Sequence, residues 1–204
     1  GKGQPIVTHV MPTDTCHHTC AFCSVATREG SVLPFYAIES YIQTLILYGL
    51  KAVILSGGGN PILYRCPETK KGINDLVGMI SGYGLEIGMI TNGMPLRDYG
   101  GRQSWRTVTP ETLDRLTWVR ISMAGLDHAE NYVYVPDIDP EKTALGFSYV
   151  LHDIYQEPED PNHGKVSTVK DLITFDHILA RKRPAVHRLV ELEEQFRFYV
   201  EEYR

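Results

Sequence analysis

Three cysteines within eight residues, Cys16, Cys20 and Cys23, form a C-x3-C-x2-C pattern directly after a short apolar segment. Thiolates are soft ligands, and three of them on one loop can hold an iron-sulfur cluster. A four-iron cluster normally takes four protein ligands, so three ligands leave one iron open. An open iron can bind a small molecule and pass an electron to it. The loop is therefore a candidate redox centre.

The same loop is also compatible with a structural zinc site, in which His17 or His18 would be the fourth ligand. Structural zinc sites usually draw a second ligand pair from a distant segment, but the only other cysteine, Cys66, has no neighbouring partner. The softness and the spacing of the ligands favour an iron-sulfur cluster, but the loop alone does not exclude a zinc site.

Composition sets the class of protein. A chain of 204 residues, 43% of them hydrophobic, can bury one sizeable core, so we expect a single domain over 1–204. No run approaches the roughly 18 consecutive apolar residues of a membrane span, and no membrane partner is expected. Crowding of three cysteines onto one loop suits a reducing compartment and predicts a cytoplasmic protein. The formal charge of -5 argues against a nucleic-acid partner.

Strand-like and helix-like segments alternate along the first 150 residues. Short apolar, β-branched runs predict strands, and apolar residues at helical spacing predict helices. The predicted strands are 6–11, 52–55, 85–91, 118–123 and 145–151, and the predicted helices are 35–50, 74–83 and 110–116, the last with Thr109 as its N-cap. The alternation predicts parallel pairing through right-handed crossovers. We expect an α/β fold, a partial TIM-type (β/α) barrel of about five or six parallel strands with outer helices.

In such a fold the loops after successive strands meet at one end, where α/β barrels place their active sites. The loops after the first four predicted strands carry the cysteines, the glycine run 57–59, the Asn92-Gly93 turn and Ser122. Although these segments span more than a hundred residues, the fold would bring them together. Their convergence is stronger support for a site than any one motif.

The cysteine loop resembles that of the radical SAM enzymes, which share the pattern C-x3-C-x-aromatic-C. Phe22 stands at the aromatic position, next to Cys23. The resemblance implies that Cys16, Cys20 and Cys23 hold a [4Fe-4S] cluster whose open iron binds S-adenosylmethionine (SAM). It implies reductive cleavage of SAM to a 5'-deoxyadenosyl radical, which removes a hydrogen atom from a substrate. In the resembled enzymes the residues between the first two cysteines are not ligands.

The glycine run extends the resemblance. Gly58-Gly59-Asn60-Pro61 is similar to the Gly-Gly-Glu-Pro segment that grips the SAM amino group in that superfamily. Asn60 replaces the glutamate, which removes a carboxylate and leaves open whether its side chain touches the ligand. Without a ligand, the run would be a tight strand-to-helix turn. The resemblance implies SAM contacts at Phe22, Gly58, Gly59 and Asn60.

The fourth and fifth predicted strands match more loosely. Arg120-Ile121-Ser122 resembles the segment in which a polar side chain meets the SAM ribose or carboxylate, so Ser122 is a further candidate contact; a plain strand-end serine is the alternative. The superfamily often carries aspartate where this chain has Ala124, so no role is assigned there. Ser148 and Val150 could flank the adenine, but a core strand is the better interpretation.

The roles of three residues outside these motifs are not decided by the sequence. His9 could reach a substrate from the first strand, or be a satisfied core histidine. His152 would lie at the functional rim. Cys66 could be a hydrogen donor or a ligand of a second site, although a lone cysteine is more often an ordinary small apolar residue.

The resemblance implies a one-electron donor such as flavodoxin or ferredoxin, while the substrate is not determined by the fold. A small molecule or a peptide is favoured over RNA because of the acidic charge balance. The alternative function is a non-catalytic metal-binding domain, either a structural zinc module or an electron-transfer iron-sulfur module.

After about residue 150 the resemblance ends. Helical spacing predicts helices over 169–179 and 185–203. A six-stranded radical SAM core would need one more strand after them. That strand is either missing from this sequence, which begins without methionine, or supplied by 196–200.

Overall fold

The computed structural model describes residues 6–16, 18–20, 23, 25, 27–93, 108–123 and 136–148. All of them lie within one compact unit, Gly1–His163, and a second unit comprises Gly164–Arg204. A single domain over the whole chain stays a prediction. In the described part of the chain, no helix is long and apolar enough to cross a membrane.

The described elements alternate between strands and helices. The strands are β1 (Val7–Val10), β2 (Ala52–Leu55), β3 (Glu86–Thr91), β4 (Trp118–Ser122) and β5 (Ala144–Ser148). The helices are α1 (Phe35–Ile46), α2 (Ile73–Gly82) and α3 (Pro110–Leu113), with a single 3-10 turn at Pro61–Leu63. Each predicted strand and helix in this region is present.

The five strands form one sheet in the order β1-β2-β3-β4-β5, and every neighbouring pair is parallel. This sequential order confirms the predicted α/β class and is the arrangement of an open segment of a (β/α) barrel. The ends of β1 and β2 are aligned, since Val10 pairs with Leu55. Leu55 in turn pairs with Met89, two residues before β3 ends. The loops that follow these three strands therefore begin at one edge of the sheet.

Some predicted boundaries are wrong by a few residues. Helix α1 ends at Ile46 rather than at residue 50, because Gly49 adopts a φ of +95°, which only glycine reaches without strain. Helix α3 begins after the N-cap Thr109, whose side chain accepts a hydrogen bond from the Thr112 amide, but it ends at Leu113.

One face of the sheet carries the core. Alternate strand residues on this face are buried, and so is one stripe of each long helix: Phe35, Ile38 and Ile42 of α1, and Ile73, Leu76, Val77 and Ile80 of α2. Because side chains alternate across a strand, the buried positions share one side of the sheet, where each large apolar side chain contributes about 1.5–3 kcal/mol. The buried residues of β1 to β4 on this face are Thr8, Val10, Val53, Leu55, Ile87, Met89, Thr91, Val119 and Ile121.

The opposite face is more open and includes His9, Arg120 and Ser122. At Gly88 the ring of its register partner Trp118 lies directly over the strand, in the space that a Cβ would take. The aromatic ring therefore covers this part of the open face below the ends of the strands.

Tyr64 follows the 3-10 turn, is fully buried and donates its hydroxyl to the carbonyl oxygen of Leu33 at 3.1 Å. Burial raises the pKa of Tyr64 well above its usual value, and the nearby Cys66 adds to the shift. The folded chain therefore keeps this phenol protonated at a pH at which the unfolded chain ionises it. The stabilising contribution is complete below about pH 10, the ordinary pKa of tyrosine, and is lost as the pH rises above it.

Replacing Tyr64 by phenylalanine should remove much of this alkaline loss and should cost about 1 kcal/mol at neutral pH, through the lost hydrogen bond. Urea unfolding at pH 8 and pH 10.5 measures both effects. Tyr36→Phe is the control, because Tyr36 is 68% exposed. An alkaline loss of the same size in the wild type and in Tyr64→Phe would contradict the assignment.

Candidate functional site

The cysteine loop leaves β1 at Met11 and is closed at its base by a short antiparallel ladder. Thr13 bridges to Val32, the Asp14 amide donates to Ser31 O at 3.1 Å, and the Leu33 amide donates to Pro12 O at 2.9 Å. We call this ladder, Pro12–Asp14 against Ser31–Leu33, the neck. It holds both ends of the loop together before the chain enters α1.

None of the three cysteines of the loop forms a disulfide, and each is half-buried. The Cys23 amide donates to Cys20 O at 3.0 Å, which forms a turn between the second and third cysteines. The Cys23 thiol lies 3.6 Å from the carbonyl oxygen of Val25, to which it donates. The thiol of Cys16 instead accepts from Asn92 Nδ2 at 3.6 Å.

No three Cys, His, Asp or Glu side chains converge as a ready-made metal site in the part of the chain that the structure describes. The chemistry of the donor set still fits an iron-sulfur cluster, because three soft sulfur ligands share one short loop closed by the neck. His18 is buried, and its Nδ1 lies 3.4 Å from Asn92 Nδ2. His17 and Phe22 lie outside the described residues.

The glycine run after β2 is packed against the beginning of the cysteine loop. Gly57 and Gly58 have φ values of +70° and +61°, which side-chain-bearing residues rarely adopt. The Gly59 amide donates to Thr13 O at 3.0 Å, and the next amide, that of Asn60, donates to Thr15 O at 2.8 Å. The close approach that requires these glycines is thus an approach to the chain's own backbone.

At Gly59 the packing is closest. A Cβ there would overlap the backbone carbonyl groups of Asp14 and Thr15. At Gly58 a Cβ would lie 3.0 Å from Thr13 O. One side of the glycine run is therefore already filled, and only its other side can face a ligand.

The side chain of Asn60 is buried and joins the glycine run to the end of β3. Its Oδ1 accepts from Thr91 Oγ1 at 2.7 Å and from the Ile62 amide at 3.4 Å. Its Nδ2 donates to Asn92 Oδ1 at 2.5 Å. A glutamate could accept these bonds but could not donate to Asn92, so the departure from the Gly-Gly-Glu-Pro pattern has a structural reason.

Asn92 completes a polar network that connects three loops. Its amide group contacts the Asn60 side chain, the Cys16 thiol and the His18 ring. The sequence placed Asn92 at the predicted rim but gave it only a turn role. Its partners are 32 and more residues away along the chain, which a local pattern cannot reveal.

Arg28 is a second residue that sequence reasoning missed. Its Nη1 donates to His18 O at 3.0 Å, and its Nη2 donates to Cys23 Sγ at 3.1 Å. Its Nε is buried without a hydrogen-bond partner among the described residues, as is Oδ1 of Asp14. The other carboxylate oxygen of Asp14 accepts from the Glu29 amide at 3.1 Å. A basic residue in the returning half of the loop was the available signal.

Two further candidate residues, Ser122 and His9, lie on the more open face of the sheet. Ser122 is half-buried at the end of β4, in register with Ser148 of β5. His9 is exposed rather than a core histidine, and its Nδ1 lies 3.2 Å from Ser56 Oγ.

Cys66 is a buried residue, as expected for a lone cysteine that serves as a small apolar side chain. It has no exposed surface, donates to Glu68 Oε2 at 3.0 Å and accepts from the Phe35 amide at 3.4 Å. His152 and Val150 lie outside the described residues.

Comparison with known proteins finds no matching family model and no matching curated protein. Among solved structures, SuiB of Streptococcus suis bound to the precursor peptide SuiA is 21% identical, with a TM-score of 0.47 over 68% of this chain and 28% of that chain. SuiB bound to S-adenosylmethionine is 21% identical, with a TM-score of 0.45 over 58% of this chain and 25% of that chain. BtrN in an open conformation is 15% identical, with a TM-score of 0.45 over 72% of this chain and 58% of that chain. This chain thus matches less than two thirds of the length of each of these proteins.

Proposed function

We propose that this chain is the core of a radical SAM enzyme, in which Cys16, Cys20 and Cys23 hold a [4Fe-4S] cluster and SAM binds at its open iron. One observation carries the proposal: the network of Asn60 and Asn92 hydrogen-bonds the cysteine loop, the glycine run and the end of β3 into one site. The cysteine pattern with Phe22 supplies the chemical identity of that site.

The chain's own part in the reaction is to bind and orient. When bound, the cluster supplies the electron that breaks the bond between the SAM sulfur and its 5'-carbon. The half-buried position of the three thiols limits contact with water, which favours a site that keeps a reactive species from solvent. No side chain is needed as a general acid or base in this step.

SAM contacts are proposed at Phe22, Gly58, Gly59, Asn60 and Ser122. The Asn60 side chain is already hydrogen-bonded to Thr91 and Asn92, and its amide to Thr15 O, so its contribution to SAM binding is assigned to its carbonyl oxygen, which can accept a second hydrogen bond. The left-handed φ of Gly58 supports the same role, because a run of such residues turns backbone groups toward one side. Ser122 would contact the ribose or carboxylate from the end of β4.

The reaction also needs a one-electron donor and a substrate with an abstractable hydrogen. A flavodoxin or ferredoxin is the proposed donor, in the cytoplasm. A small molecule or a peptide is the proposed substrate class, because the formal charge of -5 does not suit a polyanion such as RNA.

The test is anaerobic reconstitution with iron and sulfide, then addition of SAM and dithionite, with 5'-deoxyadenosine measured by mass spectrometry. We expect product from the wild type and none above background from the triple variant Cys16→Ala, Cys20→Ala, Cys23→Ala. Cys66→Ala is the matched control, because this buried cysteine lies outside the loop, and it should retain product formation.

Two other results would count against the enzyme. Four bound irons without SAM cleavage would favour an electron-transfer module. Bound zinc without a competent cluster would favour a structural zinc domain and would contradict the central assignment.

A further inference from the structure

Arg28 donates a hydrogen bond to the sulfur of Cys23, one of the three proposed cluster ligands. Its two terminal nitrogens bridge the loop, one on the backbone of His18 and the other on the thiol of Cys23. The Nη2 to Sγ distance of 3.1 Å is short for a hydrogen bond to sulfur. A guanidinium is always charged and has five donors in a fixed plane, so it can hold both contacts at once.

The contact of Arg28 falls on a sulfur atom that would be a ligand of the proposed cluster. As a neutral thiol, Cys23 can donate to Val25 O while it accepts from Arg28. As a metal ligand it must be a thiolate, which has no proton to donate and becomes a stronger acceptor. When Cys23 binds a metal, the hydrogen bond from Arg28 therefore becomes stronger and the bond to Val25 O is lost.

Hydrogen bonds to ligand sulfurs and nearby charge set the reduction potential of an iron-sulfur site. A positive charge stabilises the more negative, reduced state more than the oxidised state, and so raises the potential. The buried Nε of Arg28 is a further donor without a partner among the described residues, and a cluster sulfide or thiolate would be an acceptor for it.

We infer that Arg28 is a positioning residue of the cluster site, whose charge beside the Cys23 sulfur raises the reduction potential of the bound cluster. The inference rests on the proposed function. The step involved is the transfer of one electron from an external reductant, with no bond formed or broken. Arg28 thereby makes the site easier to reduce by a biological donor.

The test is an anaerobic redox titration of the reconstituted full chain, followed by electron paramagnetic resonance of the reduced cluster. Arg28→Gln removes the charge and keeps an amide donor, while Arg28→Lys keeps the charge. We expect Arg28→Gln to lower the ratio of reduced to oxidised cluster about tenfold at a fixed potential, a shift of about 59 mV for one electron. Arg28→Lys should lie between this variant and the wild type.

Arg115→Gln is the matched control, because Arg115 is exposed after α3 and its loss also removes one positive charge. It should leave the potential unchanged. A purely structural role of Arg28 would lower the iron content without moving the potential of the clusters that form.

The outcomes separate the inference from the function beneath it. Failure of the wild type to hold a reducible four-iron cluster would overturn both. An unchanged potential in Arg28→Gln, with a normal wild type, would overturn the inference alone. If Arg28→Gln binds no iron, a cluster in Arg28→Lys supports the role of the charge, whereas loss of the cluster in both variants overturns it.

Discussion

Gly59→Ala should destabilise the folded chain by about 3 kcal/mol, at the upper end of the usual cost of overpacking. The new Cβ would overlap the backbone of Asp14 and Thr15, and backbone atoms cannot rotate away as the tip of a side chain can. The glycine run and the cysteine loop would have to separate, which breaks the amide bonds to Thr13 and Thr15. Since whole domains are stable by only about 5–15 kcal/mol, urea unfolding should show a clear shift of the midpoint.

Gly82→Ala is the matched control. Gly82 is the last residue of α2, and a Cβ there meets nothing within 4 Å. Alanine is the better helix former by about 0.8–1.0 kcal/mol, so this variant should be neutral or more stable. Equal stability of Gly59→Ala and the wild type would show that the two loops do not pack as described.

The same geometry affects how a glycine variant can be interpreted. A bulky residue at position 59 would distort the start of the cysteine loop and should reduce iron binding as well as SAM binding. Such a variant cannot distinguish a SAM enzyme from a plain metal-binding module. The product measurement with the cysteine variants makes that distinction.

Asn92→Ala should cost about 2–3 kcal/mol and should weaken cluster retention. Removal of this side chain takes away the acceptor of Asn60 Nδ2 and the donor that contacts both Cys16 and His18. Buried polar groups that lose a partner carry a desolvation penalty of about 1–3 kcal/mol each. Urea unfolding measures the stability, and iron per chain after reconstitution and desalting measures retention.

Gln43→Ala is the control for Asn92. Gln43 also donates a short side-chain hydrogen bond, at 2.6 Å to Tyr83 Oη, but this pair is exposed. Water replaces the lost partner there, so the stability should change by less than about 0.5 kcal/mol. If Asn92→Ala were as mild as Gln43→Ala and kept its iron, the network would not be what joins the three loops.

The strands could be predicted because their signals are local. Short apolar runs mark β1 to β5, with glycine or proline close to the ends of β1 to β3, and their alternation with helical segments implied the parallel order that the sheet shows. The helix boundaries were less accurate, since the end of α1 depends on the conformation of Gly49.

Much of the candidate site could not be predicted, because its contacts join residues far apart in the chain. The cysteine pattern gave the proposed ligands, but Arg28 meets Cys23 only because the neck folds the loop back on itself. The role of Asn60 depends on a partner 32 residues away. Asn60, which stands where the resembled segment has glutamate, lacks a carboxylate that could contact SAM. The structure explains asparagine at this position, because its Nδ2 donates a hydrogen bond to Asn92 Oδ1.

The neck has a consequence for the entropy of metal binding. Closing a flexible loop costs conformational entropy that grows with the logarithm of its length. Backbone bonds of Asp14 and Leu33 close this loop without using any thiol, so a metal has to order only the short stretch that carries the cysteines. Because the backbone bonds of the neck and the sheet do not involve the thiols, we expect the rest of the fold to persist whether or not the proposed cluster is bound.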